Sequence, residues 1–184
     1  MSLTAVRSRS AAGFALLEVL VTLVITSIGL LGVVKMQAAA MANTQVARGR
    51  SLIALQSQSL AAAMHGNQGF WAAGRAPATF SMTGATVTDM TGALSNAAPD
   101  CRASTCTPGQ LAAYDVQAWA AEMNARFPTY VATVNCSPLG IAPVTCTVTT
   151  TWRESYLAYN QDQATAARPS SQTATQSLTL HVHP

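Results

Sequence analysis

The chain has 184 residues, enough for one globular domain with something to spare. Charged side chains make up only 9% of it, against roughly 25% in an ordinary soluble domain, and Ala, Thr, Ser and Gln take their place. That composition suits secreted or surface-exposed bacterial proteins better than cytosolic enzymes. The formal net charge of +3 is not gathered into a basic stripe, which argues against direct binding of nucleic acid.

Phe14 to Val34 is a run of 21 residues whose single charge is Glu18. As a helix, that length spans a bilayer. Arg7 and Arg9 precede the run and no acid does, so the N-terminus is expected to stay cytoplasmic, with the rest on the periplasmic side of the inner membrane. Lys35, Arg48 and Arg50 weaken that charge asymmetry. An ordinary signal peptide, cut near the small residues Ala38 to Ala40, is the competing reading and would release a secreted binding domain. Two features oppose it. The apolar run exceeds the roughly 7–15 residues of a signal-peptide core. A carboxylate inside a membrane helix costs up to about 2.5–3.5 kcal/mol at its centre and marks a functional site by default.

The segment Gly13-Phe14-Ala15-Leu16-Leu17-Glu18-Val19-Leu20 resembles the processing site of type IV prepilins, followed by their hydrophobic helix. In that family a membrane aspartic peptidase, the prepilin peptidase, cuts after the Gly and methylates the new N-terminus. The resemblance implies a leader of residues 1–13, cleavage between Gly13 and Phe14, an N-methylated Phe14, and Glu18 as the fifth mature residue. Ser27-Ile28-Gly29-Leu30-Leu31-Gly32 is similar to the minor pilins called type IV pilus modification protein PilV, and to some type II secretion pseudopilins. Major pilins typically carry a kinking Pro in this segment, whereas here the first Pro is Pro77. The resemblance therefore implies a minor pilin. Its partners would be the prepilin peptidase, other minor pilins and the major pilin, the last two met through N-terminal helices. A pseudopilin is the alternative.

After the spanning part, 14–35, the helical pattern turns amphipathic over 36–65. Ala39, Val46, Ile53 and Leu60 recur every seven residues, Gly49 is the one weak point, and His65-Gly66-Asn67 reads as a stop. A helix from Phe14 to Met64, about 75 Å long, cannot bury its apolar front in its own small domain.

The head is expected over 66–184. Gly69 to Pro99 reads as loop with one strand, Ala85 to Asp89. Thr107-Pro108-Gly109-Gln110 fits a capping box that opens a helix. Its apolar stripe is Ala112, Val116, Trp119, Met123 and Phe127, and Trp119 is expected in the core rather than against a ligand. Tyr114-Asp115 with Trp119 is also similar to the PilV-like minor pilins. Two strands follow, Thr129–Cys136 and Val144–Arg153. Alternation puts Tyr130, Ala132, Val134 and Cys136 on one face, and Val144, Cys146, Val148 and Trp152 on another.

Behind an export signal the four cysteines are expected to form two disulfides, and no zinc spacing is present. A hairpin would bring Cys136 to Cys146 and leave Cys101 with Cys106, although four cysteines allow three connectivities. Ser155 to Gln176 reads as a polar linker and Ser177 to His183 as a last strand with Leu178, Leu180 and Val182 inward. His181 and His183 then share the outer face, but no third metal ligand accompanies them. No nucleophile, phosphate-loop or dinucleotide motif occurs, so neither an enzyme nor a cofactor is expected. The fold expected is α+β, a lollipop of long N-terminal helix and small antiparallel-sheet head.

Overall fold

The computed structural model describes residues 16–137, 143–155 and 173–184. Gly13 and Phe14 lie outside them. The chain divides into two units, 1–42 and 43–184, and the long helix α1, Leu16–Gly66, contributes to both. In the first unit α1 carries the apolar run. In the second it supplies one wall of the head.

The head holds a sheet of five strands in the order β2-β1-β3-β4-β5, every neighbour antiparallel. The strands are β1 Thr79–Thr83, β2 Thr86–Asp89, β3 Val131–Cys136, β4 Cys146–Ser155 and β5 Thr173–Val182. A second helix, α2, runs from Pro108 to Arg126. This is an α+β fold, with a long apolar N-terminal helix followed by a small antiparallel sheet.

Each element follows from its residues. In α1, Ile53, Ser57, Leu60 and Met64 are buried at spacings of three and four, so they form one stripe facing the sheet. α2 starts with the full capping box: Thr107 accepts from the Gln110 N–H, and the Gln110 side chain accepts from the Thr107 N–H at 2.9 Å. Its stripe Ala112, Val116, Trp119 and Met123 is buried and Phe127 is partly so. The indole N–H of Trp119 donates to the Gln56 carbonyl at 2.7 Å, pinning α2 to α1 inside the core. On the sheet, Phe80, Met82, Val87, Ala132, Val134, Cys146, Val148 and Trp152 all point to the helices. Thr150 sits among them with its hydroxyl 3.3 Å from that of Ser57, so neither buried oxygen lacks a partner. Arg50 meets Glu154 and Ser57 meets Thr150, so α1 runs antiparallel to β4 and therefore parallel to β5.

Three expectations need correction. The stretch Gly69–Pro99 holds two strands, not one. Gly84 and Ala85 form a two-residue connection with Thr83 opposite Thr86, and Gly84 takes φ +60° while no non-glycine described residue has positive φ. That pattern, Gly first and an ordinary residue second, is the hairpin turn whose twist suits adjacent strands. The expected linker Ser155–Gln176 is too wide, because β4 reaches Ser155 and β5 begins at Thr173. Thr-rich sequence favours extended backbone there, and Glu154, polar by type, is held at the sheet by Arg50. Residues 156–172 lie outside the described set. Finally, β3 begins at Val131 and β4 at Cys146, two residues later than expected.

Leu60 is 1% exposed. Leu60→Ala should cost about 2–5 kcal/mol of head stability with α1 still helical. Thermal unfolding in detergent checks this, and an unchanged midpoint would mean the stripe does not seat the helix.

Candidate functional site

The apolar part of α1 is the most unusual surface of the molecule. Its most hydropathic window averages 2.4 and is 0% buried by the rest of the chain, so by length and composition it can cross a membrane. Leu16 is 84% exposed and Val19, the least exposed large apolar residue there, is still 45% exposed. Polar groups in this stretch are satisfied locally. Thr22 donates to the Val19 carbonyl at 2.9 Å, Thr26 to that of Thr22 at 2.9 Å, and Ser27 to that of Leu23 at 2.6 Å. Hydroxyls bonded back to their own helix present no unmet donor to hydrocarbon. Glu18 is in the first turn, where the exposed N–H groups and helix dipole favour a negative charge.

The C-terminal part of α1 is locked to the sheet. Arg50 donates from Nε to Glu154 Oε1 at 2.9 Å and from Nη2 to Oε2 at 2.8 Å, and the Trp152 indole N–H adds a bond to Oε1 at 2.8 Å. The Glu154 side chain is only 9% exposed. Hydrogen bonds from Arg50, opposed by burial and helped by Trp152, hold its carboxyl below the usual carboxylate range. Two features of Arg50 and Glu154 escape sequence reading: they are 104 residues apart, and neither sits in a motif.

A second carboxylate organises the loop after β2. Asp89 accepts from Thr91 N and Oγ1 at 2.8 Å, from Leu94 N at 3.0 Å and from Ser95 N at 2.8 Å. Burial alone would raise the Asp89 carboxyl, but these bonds outweigh it and hold it well below the ordinary range. Burial raises the Asp115 carboxyl and pushes the Tyr130 phenol up to about 12.

The cysteines are joined as Cys101–Cys106 and Cys136–Cys146, the latter pair directly opposite each other in the β3–β4 register. His181 Nδ1 lies 3.2 Å from the Thr147 hydroxyl. No group of three potential metal ligands occurs among the described residues.

Residues 8–34 match the family described as prokaryotic N-terminal methylation motif. The match supports a type IV pilin or pseudopilin. It includes Gly13, Phe14 and Glu18 and ends where the apolar run ends. No curated protein and no solved structure matches the chain. The motif implies processing by the prepilin peptidase and participation in assembly, and with the apolar helix it fits membrane anchoring. It suits a structural subunit rather than an enzyme.

Asp89 and Glu154 both have lowered folded-state pKa values, so the stability they add is present above their unfolded values, near 4, and is lost as pH falls through the folded ones. The melting temperature should therefore hold from pH 8 to about 5 and decline below about 4. Glu154→Gln should lower it at pH 7 and flatten the acid decline, as thermal melts across pH would record.

Proposed function

We propose that this chain is a minor subunit of a type IV pilus, made as a prepilin, cut between Gly13 and Phe14 and methylated on Phe14. The observation that carries the reading is that the matched motif, residues 8–34, takes in a spanning-length apolar run with Glu18 as its single acid. A signal peptidase cut near Ala40 is disfavoured because α1 runs through that point without a break. The missing Pro in α1 and the short likenesses at Ser27–Gly32 and Tyr114-Asp115 with Trp119 support a minor pilin. A type II secretion pseudopilin would share the motif and the helix, and genomic neighbours separate the two. The subunit waits in the inner membrane with its head in the periplasm, where both disulfides belong to an oxidised fold. It then joins other minor pilins and the major pilin through its N-terminal helix, priming or capping the fibre.

In this reading Glu18 is the assembly contact. Cleavage frees an amine on Phe14, and Glu18 follows one helical turn later. In a bundle of staggered helices the carboxylate can meet the amine of a neighbour. At 4 Å and an effective dielectric near 20 the attraction is about 4 kcal/mol, partly offset by desolvation. Contact within one chain, at a spacing of four, would neutralise charge without joining subunits.

Gly13→Val should block processing and Gly13→Ala should impair it, because the peptidase must fit backbone at the scissile bond. The mass of the mature N-terminus decides: a start other than N-methylated Phe14 would refute the site. Glu18→Ala should be processed normally yet enter sheared fibres about tenfold less, given about 1.4 kcal/mol of net contact. Wild-type incorporation would remove Glu18 from assembly.

A further inference from the structure

We propose that Cys101–Cys106 is a thiol–disulfide exchange site. A dithiol reductant opens it and a disulfide oxidant closes it again, while the head stays folded and Cys136–Cys146 stays shut.

The two bonds stand in opposite surroundings. Cys146 is 1% exposed and belongs to the core, with Cys136 packed against it. Just beyond that bond the hairpin is closed again: the Ser137 N–H donates to the Thr145 carbonyl at 2.8 Å, and the Thr145 N–H to the Ser137 hydroxyl at 3.0 Å. A reductant reaches those sulfurs only when β3 and β4 part. Cys101 and Cys106 are half-buried, lie outside the core cluster, and close a ring whose other residues, 102–105, are all exposed.

The local fold on either side of this exposed bond is held without it. On the N-terminal side the Asp100 carbonyl accepts from Ala103 N–H at 3.1 Å and from Ser104 N–H at 3.0 Å, and the Asp100 carboxylate accepts from Arg102 N–H at 2.9 Å. On the C-terminal side the capping box at Thr107 and Gln110 starts α2, and the Asn67 side chain donates to the Pro108 carbonyl at 2.7 Å. None of these bonds uses a sulfur. With the disulfide open, the turn at Asp100 and the start of α2 keep their own hydrogen bonds. The two thiols then remain neighbours, placed to close the ring again.

Exchange has a preferred direction. Cys106 directly precedes the Thr107 cap, and the first turn of α2 holds no acidic residue. The positive end of a helix favours a thiolate, and the more stable thiolate is the faster leaving group. Beside Cys101 the neighbours Asp100 and Arg102 carry opposite charges, so the helix end is the unbalanced one. A thiolate of the reductant therefore adds to Cys101 Sγ. The Sγ–Sγ bond breaks, its electron pair goes to Cys106, and that thiolate takes a proton from water. The second thiolate of the reductant attacks its partner sulfur in the mixed disulfide and releases Cys101, which is protonated in turn. Two electrons have passed to the chain, and the dithiol departs as a disulfide. A disulfide oxidant runs the same steps in reverse.

The full-length protein in detergent, exposed to dithiothreitol for increasing times, alkylated and peptide-mapped, tests this. We expect Cys101 and Cys106 to open at least about tenfold faster than Cys136 and Cys146, with the cooperative melt retained. A glutathione pulse quenched with iodoacetamide should leave glutathione on Cys101 and the alkyl group on Cys106. The double variant Cys101→Ser, Cys106→Ser should still fold and melt cooperatively. Equal opening of both bonds, opening only as the head unfolds, glutathione carried by Cys106, or a serine double variant that does not fold overturns the proposal.

Discussion

The first half of α1 has nothing in its own chain to lie against. Burying apolar surface contributes about 25 cal/mol per Å², and a helix whose large residues from Leu16 to Val34 are all exposed forgoes that gain entirely while it stands alone in water. A lipid bilayer supplies the missing environment, and so does a bundle of like helices. Because both environments are apolar, a subunit can pass from one to the other without ever wetting the helix. Back-bonded hydroxyls at Thr22, Thr26 and Ser27 fit both equally well. Glu18 is the exception, the single carboxylate of the apolar run, and in the proposed function it is the place where one chain recognises another.

The head answers a different demand. It must hold the second half of the same helix firmly against the sheet. Apolar packing of Ile53, Leu60 and Met64 does most of this, and a handful of polar ties set the register. Ser57 with Thr150, Trp119 with the Gln56 carbonyl, and Arg50 with Glu154 each join α1 to a different partner position. Removing Ser57 leaves the Thr150 hydroxyl buried without that partner, and removing Arg50 strips the largely covered Glu154 carboxylate of its main donor, which costs more than the tie itself contributes.

How much of this was legible in the residues depends on whether the signal was local. The capping box at Thr107–Gln110 is read from four adjacent residues, and the stripe from Ala112 to Met123 from one helix period. The inward set on β3 and β4 follows from alternation, which also places Cys136 and Cys146 on the apolar side. By contrast β1 carries only Phe80 and Met82 as inward residues, in a stretch dominated by Gly, Ala and Thr, and its turn signal at Gly84-Ala85 is a weak pair. The ends of β4 and β5 were hidden for another reason. Glu154 looks like the start of a polar loop until Arg50, far away in sequence, is placed beside it. The motif around Gly13, Phe14 and Glu18 is legible as sequence, while Gly13 and Phe14 lie outside the described residues.

The pairing of α1 with β4 also has a kinetic side. Arg50 and Glu154 are 104 residues apart, and the core joins Ile53 and Leu60 to Val148, Trp152 and Val182 near the C-terminus. Contacts of such separation form slowly, because a long loop must close before any gain is realised. In the topology proposed above, with the N-terminus cytoplasmic and the head exported behind the anchor, the helix is already anchored while the strands that will cover its apolar stripe are still emerging. Ile53, Leu60 and Met64 therefore wait uncovered until nearly the last residue has been exported, and the interval between anchoring and closure is the period in which this subunit is most open to aggregation and to proteases.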